Sequence, residues 1–393
     1  MYRKVLQLAI YTLLIFSCYS QHEDNKDLNA AIIPGAERTE LYRKQLTSKN
    51  VGLVVNPTSQ IGTSHLVDSL LKLGVQVSAI FAPEHGFRGR ADAGEQVSDG
   101  YDNKTGLPII SLYGKNKKPT AEQLRDIDIL VFDIQDVGVR FYTYISTLHY
   151  VMEAAAENAI KVLILDRPNP NRHIIDGPIM EPEFISFVGL HPVPILYGLT
   201  IGEYGRMING EHWLKNGLKC DLEVIPCGNY GQHSRYSLPV RPSPNLPNDQ
   251  AINLYPSLCF FEGTTFSIGR GTDAPFQVIG HPDLINYTFT FTPRSNEGSK
   301  YPKHENKACY GVDLRAIPQV HKLDLSFLLE FYNAAEKEGI PFFNDNNFFE
   351  KLAGTLSLRK ALETGKTAPE IRASWQPGLN KYKLKRNRYL LYE

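Results

Sequence analysis

The chain has 393 residues, of which 42% are hydrophobic and 21% charged, and its 42 Lys+Arg balance 42 Asp+Glu. That length exceeds one ordinary core and points to two domains, while the apolar content is that of a folded globular protein. A formal net charge of zero lacks the basic surplus of a nucleic-acid footprint, so no nucleic-acid partner is expected.

The N-terminus reads as a targeting segment. Arg3 and Lys4 precede the apolar run "VLQLAIYTLLIF", which is too short to span a bilayer comfortably. Cys18 after "IFS" resembles a loose bacterial lipobox and would then be the lipidated residue; the alternative is cleavage before Gln21, with Cys18 and Ser20 as the small-x-small pair. Both readings put the protein outside the cytoplasm, secreted or in the cell envelope (periplasm or outer-membrane lipoprotein). A membrane partner is expected only through that lipid anchor. Residues 1–20 thus read as a signal peptide of lipoprotein type, and 21–45, opening on polar "QHEDNKD", as a tether.

From Val51 apolar runs alternate with helical patterns. "VGLVVN", "VQVSAIF", "LPIISLYG", "IDILVFD", "KVLILD" and "LKCDLEVIP" read as strands. "SHLVDSLLKLG" and "YISTLHYVMEAAAENA" read as helices, and Thr120/Gln123 and Thr200/Glu203 have capping-box spacing. Strands apolar throughout and alternating with helices predict an α/β fold: a Rossmann-like, doubly wound parallel sheet over 46–245. The proline-rich "LPVRPSPNLPNDQ" reads as a crossing segment, with a boundary near Leu246. Residues 246–393, with strands in "NYTFTFTP" and "KACYGVDLRAI", a helix in "DLSFLLEFYNAAEK" and a basic, Tyr-rich end, read as a smaller α+β domain completing the cleft. No CxxC occurs. Cys220 and Cys227 flank an extended segment too long for a mutual disulfide; Cys259 and Cys309 are either a pair or, like the others, free buried thiols.

Ligands of doubly wound sheets bind outside the carboxyl ends of the strands. Those ends carry Asn56-Pro57, Glu84-His85, Asp133 and Asp166-Arg167-Pro168-Asn169. Glu84 is a candidate general acid or base, or a helix cap. His85 is a metal ligand, a base, a sugar contact or a structural imidazole. Asp133 and Asp136 hold a metal or a sugar hydroxyl, or cap the following helix. Arg140 clamps a substrate carboxylate or braces Asp136. Asp166 and Arg167 form an internal ion pair or face ligand, and Glu203 is a helix cap or a catalytic carboxylate. The Gly-rich "SIGRGTDAPF" lacks the P-loop Lys-Ser/Thr and any GxGxxG, so it carries no nucleotide signal; its Arg270 and Asp273 are candidates to reach the cleft. With no GxSxG elbow and no HExxH, carboxylates, arginines and aromatics remain, a set suited to glycoside hydrolysis.

Taken in series, "FAPEHGFRG", "VFDIQDVGVRFYTYISTL", "LDRPNPN", "DGPIMEPEFISFVGLHPVPILYGLTIGE" and "FEGTTFSIGRGTDAPF" resemble the exo-β-N-acetylmuramidase (NamZ-like) family, from about Val51 onward. The resemblance implies an active site between the two domains and release of N-acetylmuramic acid from the non-reducing end of peptidoglycan fragments, in cell-wall turnover or recycling. It makes Glu84 the leading catalytic carboxylate, with Glu203 and Asp133 as candidate partners. It adds Tyr142 and Asn169 to the substrate-binding candidates His85, Asp136, Arg140, Asp166, Arg167, Arg270 and Asp273. The lactyl carboxylate of muramic acid calls for an arginine, with Arg140, Arg270 and Arg167 preferred in that order. Either the substrate's own acetamido group attacks, or a second carboxylate activates water across a gap of roughly 6.5–9.5 Å. No cofactor or metal is expected, although His85 with Asp133 keeps a metal open. The rival readings are a metal-dependent cell-wall amide or ester hydrolase and a non-catalytic muropeptide-binding lipoprotein.

Overall fold

The computed structural model describes residues 31–84, 86–88 and 99–392. The leader with Cys18, and His85, lie outside the described residues. Two faces of one sheet organise everything else. The strands are β1 (Val51–Val55), β2 (Val77–Ala82), β3 (Gly100–Tyr101), β4 (Pro108–Ser111), β5 (Ile129–Asp133), β6 (Lys161–Leu165) and β7 (Leu222–Ile225). They lie in the order β3-β4-β2-β1-β5-β6-β7, parallel except for the short edge strand β3. Side chains alternate across the sheet. Val51, Leu53 and Val55 of β1, Val131 of β5 and Leu163 of β6 enter one apolar cluster; Val54, Phe132 and Ile164 enter the other. Both faces are covered, so the central strands are apolar along most of their length, with polar residues such as Asp133, Lys161 and Glu223 interrupting or ending them.

Helices α1 (Thr39–Leu46) and α2 (Leu66–Lys72) cover the first face, to which they contribute Tyr42, Leu46, Val67 and Leu70. The short α3 (Ala121–Leu124) is opened by a Thr120/Gln123 capping box. Helices α4 (Tyr144–Glu157) and α5 (Ile201–Gly210), the latter opened by the Thr200/Glu203 box, cover the second face. The C-terminal part packs on that same cluster, with Tyr255, Phe260, Phe349, Trp375 and Tyr382 in one apolar body with Phe132. Residues 33–393 accordingly hold together as one compact unit.

The C-terminal part contains α6 (Asp249–Leu258), an antiparallel sheet of β8 (Val278–His281), β9 (Phe289–Phe291) and β10 (Cys309–Asp313) in the order β8-β10-β9, and helices α7 (Ser326–Glu338), α8 (Phe348–Ala353), α9 (Ser357–Glu363) and α10 (Ala368–Arg386). Helices α6, α8, α9 and α10 were not foreseen. Asn248, within the proline-rich stretch, caps α6 by accepting from the Ala251 N–H at 2.9 Å. Prolines 256 and 377 lie inside α6 and α10 and hide their helical pattern. No helix among the described residues is long and apolar enough to cross a membrane. The four described cysteines, Cys220, Cys227, Cys259 and Cys309, are free and buried.

The chain turns from β1 to β2 and β4 on one side, then returns to β5 on the other. The crevice at that reversal is the usual ligand site of such sheets. Here it is filled from within. Arg167 clasps Asp133 at 2.5 and 2.8 Å and donates to the Gln60 carbonyl at 3.1 Å; Gln135 N–H donates to Thr58 Oγ1 at 3.0 Å; Ser59 Oγ donates to the Asp133 carbonyl. The open cleft lies to one side, above β2 and β4.

Candidate active site

The segment after β2 is held at both ends. Phe81 is buried in the core, and Phe87 is nearly so. A turn closes with Gly86 N–H donating to the Pro83 carbonyl at 3.1 Å. Gly86 has φ +71, a conformation that glycine alone adopts readily. Arg88 then forks onto Asp102 at 2.9 and 3.0 Å and reaches Asp68 at 3.2 Å. Between these anchors stands half-buried Glu84. Thr143, the residue before α4, donates its hydroxyl to Glu84 Oε2 at 3.3 Å, and Tyr144 donates to the Glu84 carbonyl at 3.4 Å. Tyr113, two residues beyond β4, hydrogen-bonds the Glu84 carboxyl; burial first, then the charge of Glu84, pushes its phenol up.

Glu84, Tyr113 and Thr143 line one side of a cleft of about 600 Å³, with Phe141, Phe187 and Val188. Tyr255, Glu262, Arg270, the 298–301 segment, Phe348 and Leu352 of the C-terminal part line the rest. Arg270 donates its Nε to Glu262 at 2.5 Å, and its guanidinium lies 5.1 Å from the Phe276 ring centre. Burial opposes its charge, but the Glu262 carboxylate more than offsets this and holds the arginine above its ordinary value. Two glycines fix its place. Gly269 and Gly271 have φ +79 and +80, and a Cβ on either would stand 2.6 Å from a carbonyl oxygen, Ala274 in one case and Arg294 in the other. The Glu84 carboxylate thus shares a cleft with the guanidinium of Arg270, itself paired with Glu262.

Models of the NamZ exo-β-N-acetylmuramidase match this sequence in two blocks, the N-terminal one over residues 51–250 and the C-terminal one over 253–392. The chain belongs to the NamZ exo-β-N-acetylmuramidase family. It is 40% identical over 380 residues, 89% of each chain, to the peptidoglycan β-N-acetylmuramidase NamZ of Bacillus subtilis. Two crystal structures of DUF1343-family proteins from Bacteroides fragilis share the fold. One has a TM-score of 0.86 at 46% identity, covering 93% of this chain and 99% of that one; the other has 0.80 at 30%, covering 92% and 99%.

In this NamZ-family chain the other candidate residues lie away from the cleft. Asp133 and Arg167 are the buried ion pair of the sheet crevice. Asp136 accepts from the Tyr197 hydroxyl and from Gly138 N–H at 2.6 Å; burial pushes it up to about 7, against the pull of those two bonds. Arg140 is fully enclosed and meets no carboxylate among the described residues. It donates to the carbonyls of Pro178 (2.9 Å), Val193 (2.8 Å), Leu352 (3.0 Å) and Ala353 (2.7 Å), and burial lowers it to about 9. It staples the end of α8 to the N-terminal part instead of facing ligand. Tyr142 donates to the Pro242 carbonyl at 2.6 Å. Asn169 bridges Leu199 and Asn171.

Asp166 accepts from Thr200 Oγ1 (2.7 Å), Gly202 N–H (2.8 Å) and the Tyr392 hydroxyl (2.5 Å) at the start of α5; burial pushes it up to about 6. Glu203 completes its capping box and pairs with Arg172 at 2.7 Å, while Leu391 N–H donates to it at 2.9 Å. Asp273 is exposed and lies outside the cleft lining. Among the described candidates, Glu84 and Arg270 are the two that the fold brings to one cleft. Sequence alone did not single out Glu262, Tyr113 or Thr143. Tyr113 lies two residues beyond the end of β4, so the strand-end rule reaches it, and Glu262 shares the "FEGTTFSIGRG" block with Arg270. Among the described residues no group of three or more His, Cys, Asp or Glu side chains is placed to hold a metal ion.

Proposed function

We propose that this protein is an exo-acting glycosidase that removes N-acetylmuramic acid from the non-reducing end of peptidoglycan fragments. The supporting observation is the shared cleft of Glu84 and the Arg270–Glu262 pair. Glu84 is the proton donor. Its proton goes to the glycosidic oxygen, the bond from that oxygen to the anomeric carbon breaks, and water finally supplies the hydroxyl on that carbon. Attack by the substrate's acetamido group and attack by an activated water both begin with this proton transfer. Thr143 and Tyr113 hold the carboxyl in place. Arg270 receives the lactyl carboxylate, the group that distinguishes muramic acid from glucosamine, and Glu262 orients the guanidinium for it. The family membership and the B. subtilis relative support the same reading. A role in cell-wall turnover or recycling, and a place in the envelope or outside the cell, complete the proposal on the strength of the leader.

The test is hydrolysis of a chromogenic β-N-acetylmuramide beside the matching N-acetylglucosaminide, for wild type and Glu84→Gln. Muramide-selective turnover that falls by about 10²–10⁴ in the variant is expected for a lost general acid. Folded wild type that cleaves neither sugar would sink the proposal.

A further inference from the structure

We propose that Tyr301 is a stacking platform for the sugar on the leaving-group side of the scissile bond, so that the cleft reads an N-acetylglucosamine unit beyond the terminal muramic acid. This rests on the function proposed above. Tyr301 is 90% exposed, more than any other large apolar or aromatic side chain among the described residues. Neither its ring nor its hydroxyl has a partner among the described residues. Its backbone is fixed all the same. Asn296 and Ser299 exchange backbone hydrogen bonds at 3.0 and 3.1 Å, and Asn245 Nδ2 holds the Gly298 carbonyl at 2.6 Å. Pro302 is buried, and a Cβ on Gly271 would lie 2.6 Å from its ring. The ring therefore stands in water on a braced turn.

Its position gives that exposure a use. Tyr301 lines the 600 Å³ cleft and also an adjoining cavity of about 400 Å³, together with Arg270, Glu262, Ser299 and Phe348. An exo-acting site seats the terminal sugar against the catalytic carboxylate, so the rest of the glycan leaves by the open side. Tyr301 lines both the cleft and the cavity that adjoins it. Sugar rings present C–H faces that pack on an aromatic plane, and a tyrosine keeps its hydroxyl wet at such a rim.

The test compares wild type, Tyr301→Ala and Tyr301→Phe on the β-linked disaccharide of N-acetylmuramic acid and N-acetylglucosamine. Free N-acetylmuramic acid serves as competitive inhibitor, to report the terminal-sugar site alone. Tyr301→Ala is expected to lower kcat/KM for the disaccharide about tenfold, Tyr301→Phe to restore it, and inhibition by the free sugar to stay unchanged in both. Undiminished disaccharide turnover in Tyr301→Ala, or an equal weakening of the free sugar, overturns the assignment while leaving the glycosidase intact. Wild type inert toward both disaccharide and chromogenic muramide overturns the two together.

Discussion

Arg140 is the sharpest place to separate scaffold from site, because an arginine in a substrate-binding motif would ordinarily be credited with the substrate. Replacing it with Met removes four hydrogen bonds to buried carbonyls. At about 2 kcal/mol for each orphaned acceptor the loss is about 8 kcal/mol. Against this, the buried guanidinium no longer has to be desolvated. Its fall from the ordinary 12.5 to about 9 is worth about 5 kcal/mol of relief at 1.36 kcal/mol per factor of ten. The balance is a destabilisation of about 3 kcal/mol, read as a urea midpoint lower by about 1 M. Activity per folded molecule should be largely retained, since Arg140 lies beneath the cleft wall and not in it. A variant with an unchanged midpoint and a kcat/KM lower by more than about tenfold would refute this reasoning and return Arg140 to the substrate.

Arg270 should behave in the opposite way. Arg270→Gln, combined with Glu262→Gln so that no carboxylate is stranded, should erase the preference for muramide over glucosaminide by about 10- to 100-fold, the worth of a charge-assisted bond; an unchanged ratio of kcat/KM for the two chromogenic sugars would refute the carboxylate role. Asp136 predicts a pH effect on stability. Its folded value, about 7, lies above its ordinary 3.8, so the native state holds the proton more tightly and stability falls as pH rises from about 4 to 7, by up to about 4 kcal/mol. Asp166, pushed up to about 6, adds a loss of the same sign over a narrower window. Asp136→Asn should therefore flatten the slope of urea stability between pH 5 and 8, and an unaltered slope would show that the proton is not bound there.

The fold was legible because its strands are covered twice. Val54 turns to one face and Val51, Leu53 and Val55 to the other, so a continuous apolar run was the correct signature, and the Thr120 and Thr200 caps marked helix starts with local chemistry alone. The same logic does not tell one strand end from another. Glu84, Asp133 and Asp166 each follow an apolar strand. What separates them is long-range: Arg167 covers Asp133 from 34 residues away, and Tyr392 covers Asp166 from 226. Among the described strands, β2 and β4 are the two that end beside the cleft. The two arginines carry the same lesson, since Arg140 is enclosed by carbonyls up to 213 residues distant while Arg270 meets a partner 8 residues away.

The hydroxyl of Tyr392 on Asp166 and the amide of Leu391 on Glu203 also set a clock on biogenesis. At about 5–20 residues per second, the 226 residues between Asp166 and Tyr392 take roughly 11–45 s to synthesise. Throughout that interval the nascent sheet has the carboxylate that anchors the start of α5 but not the phenol that covers it. The polar interior therefore cannot reach its native state during elongation.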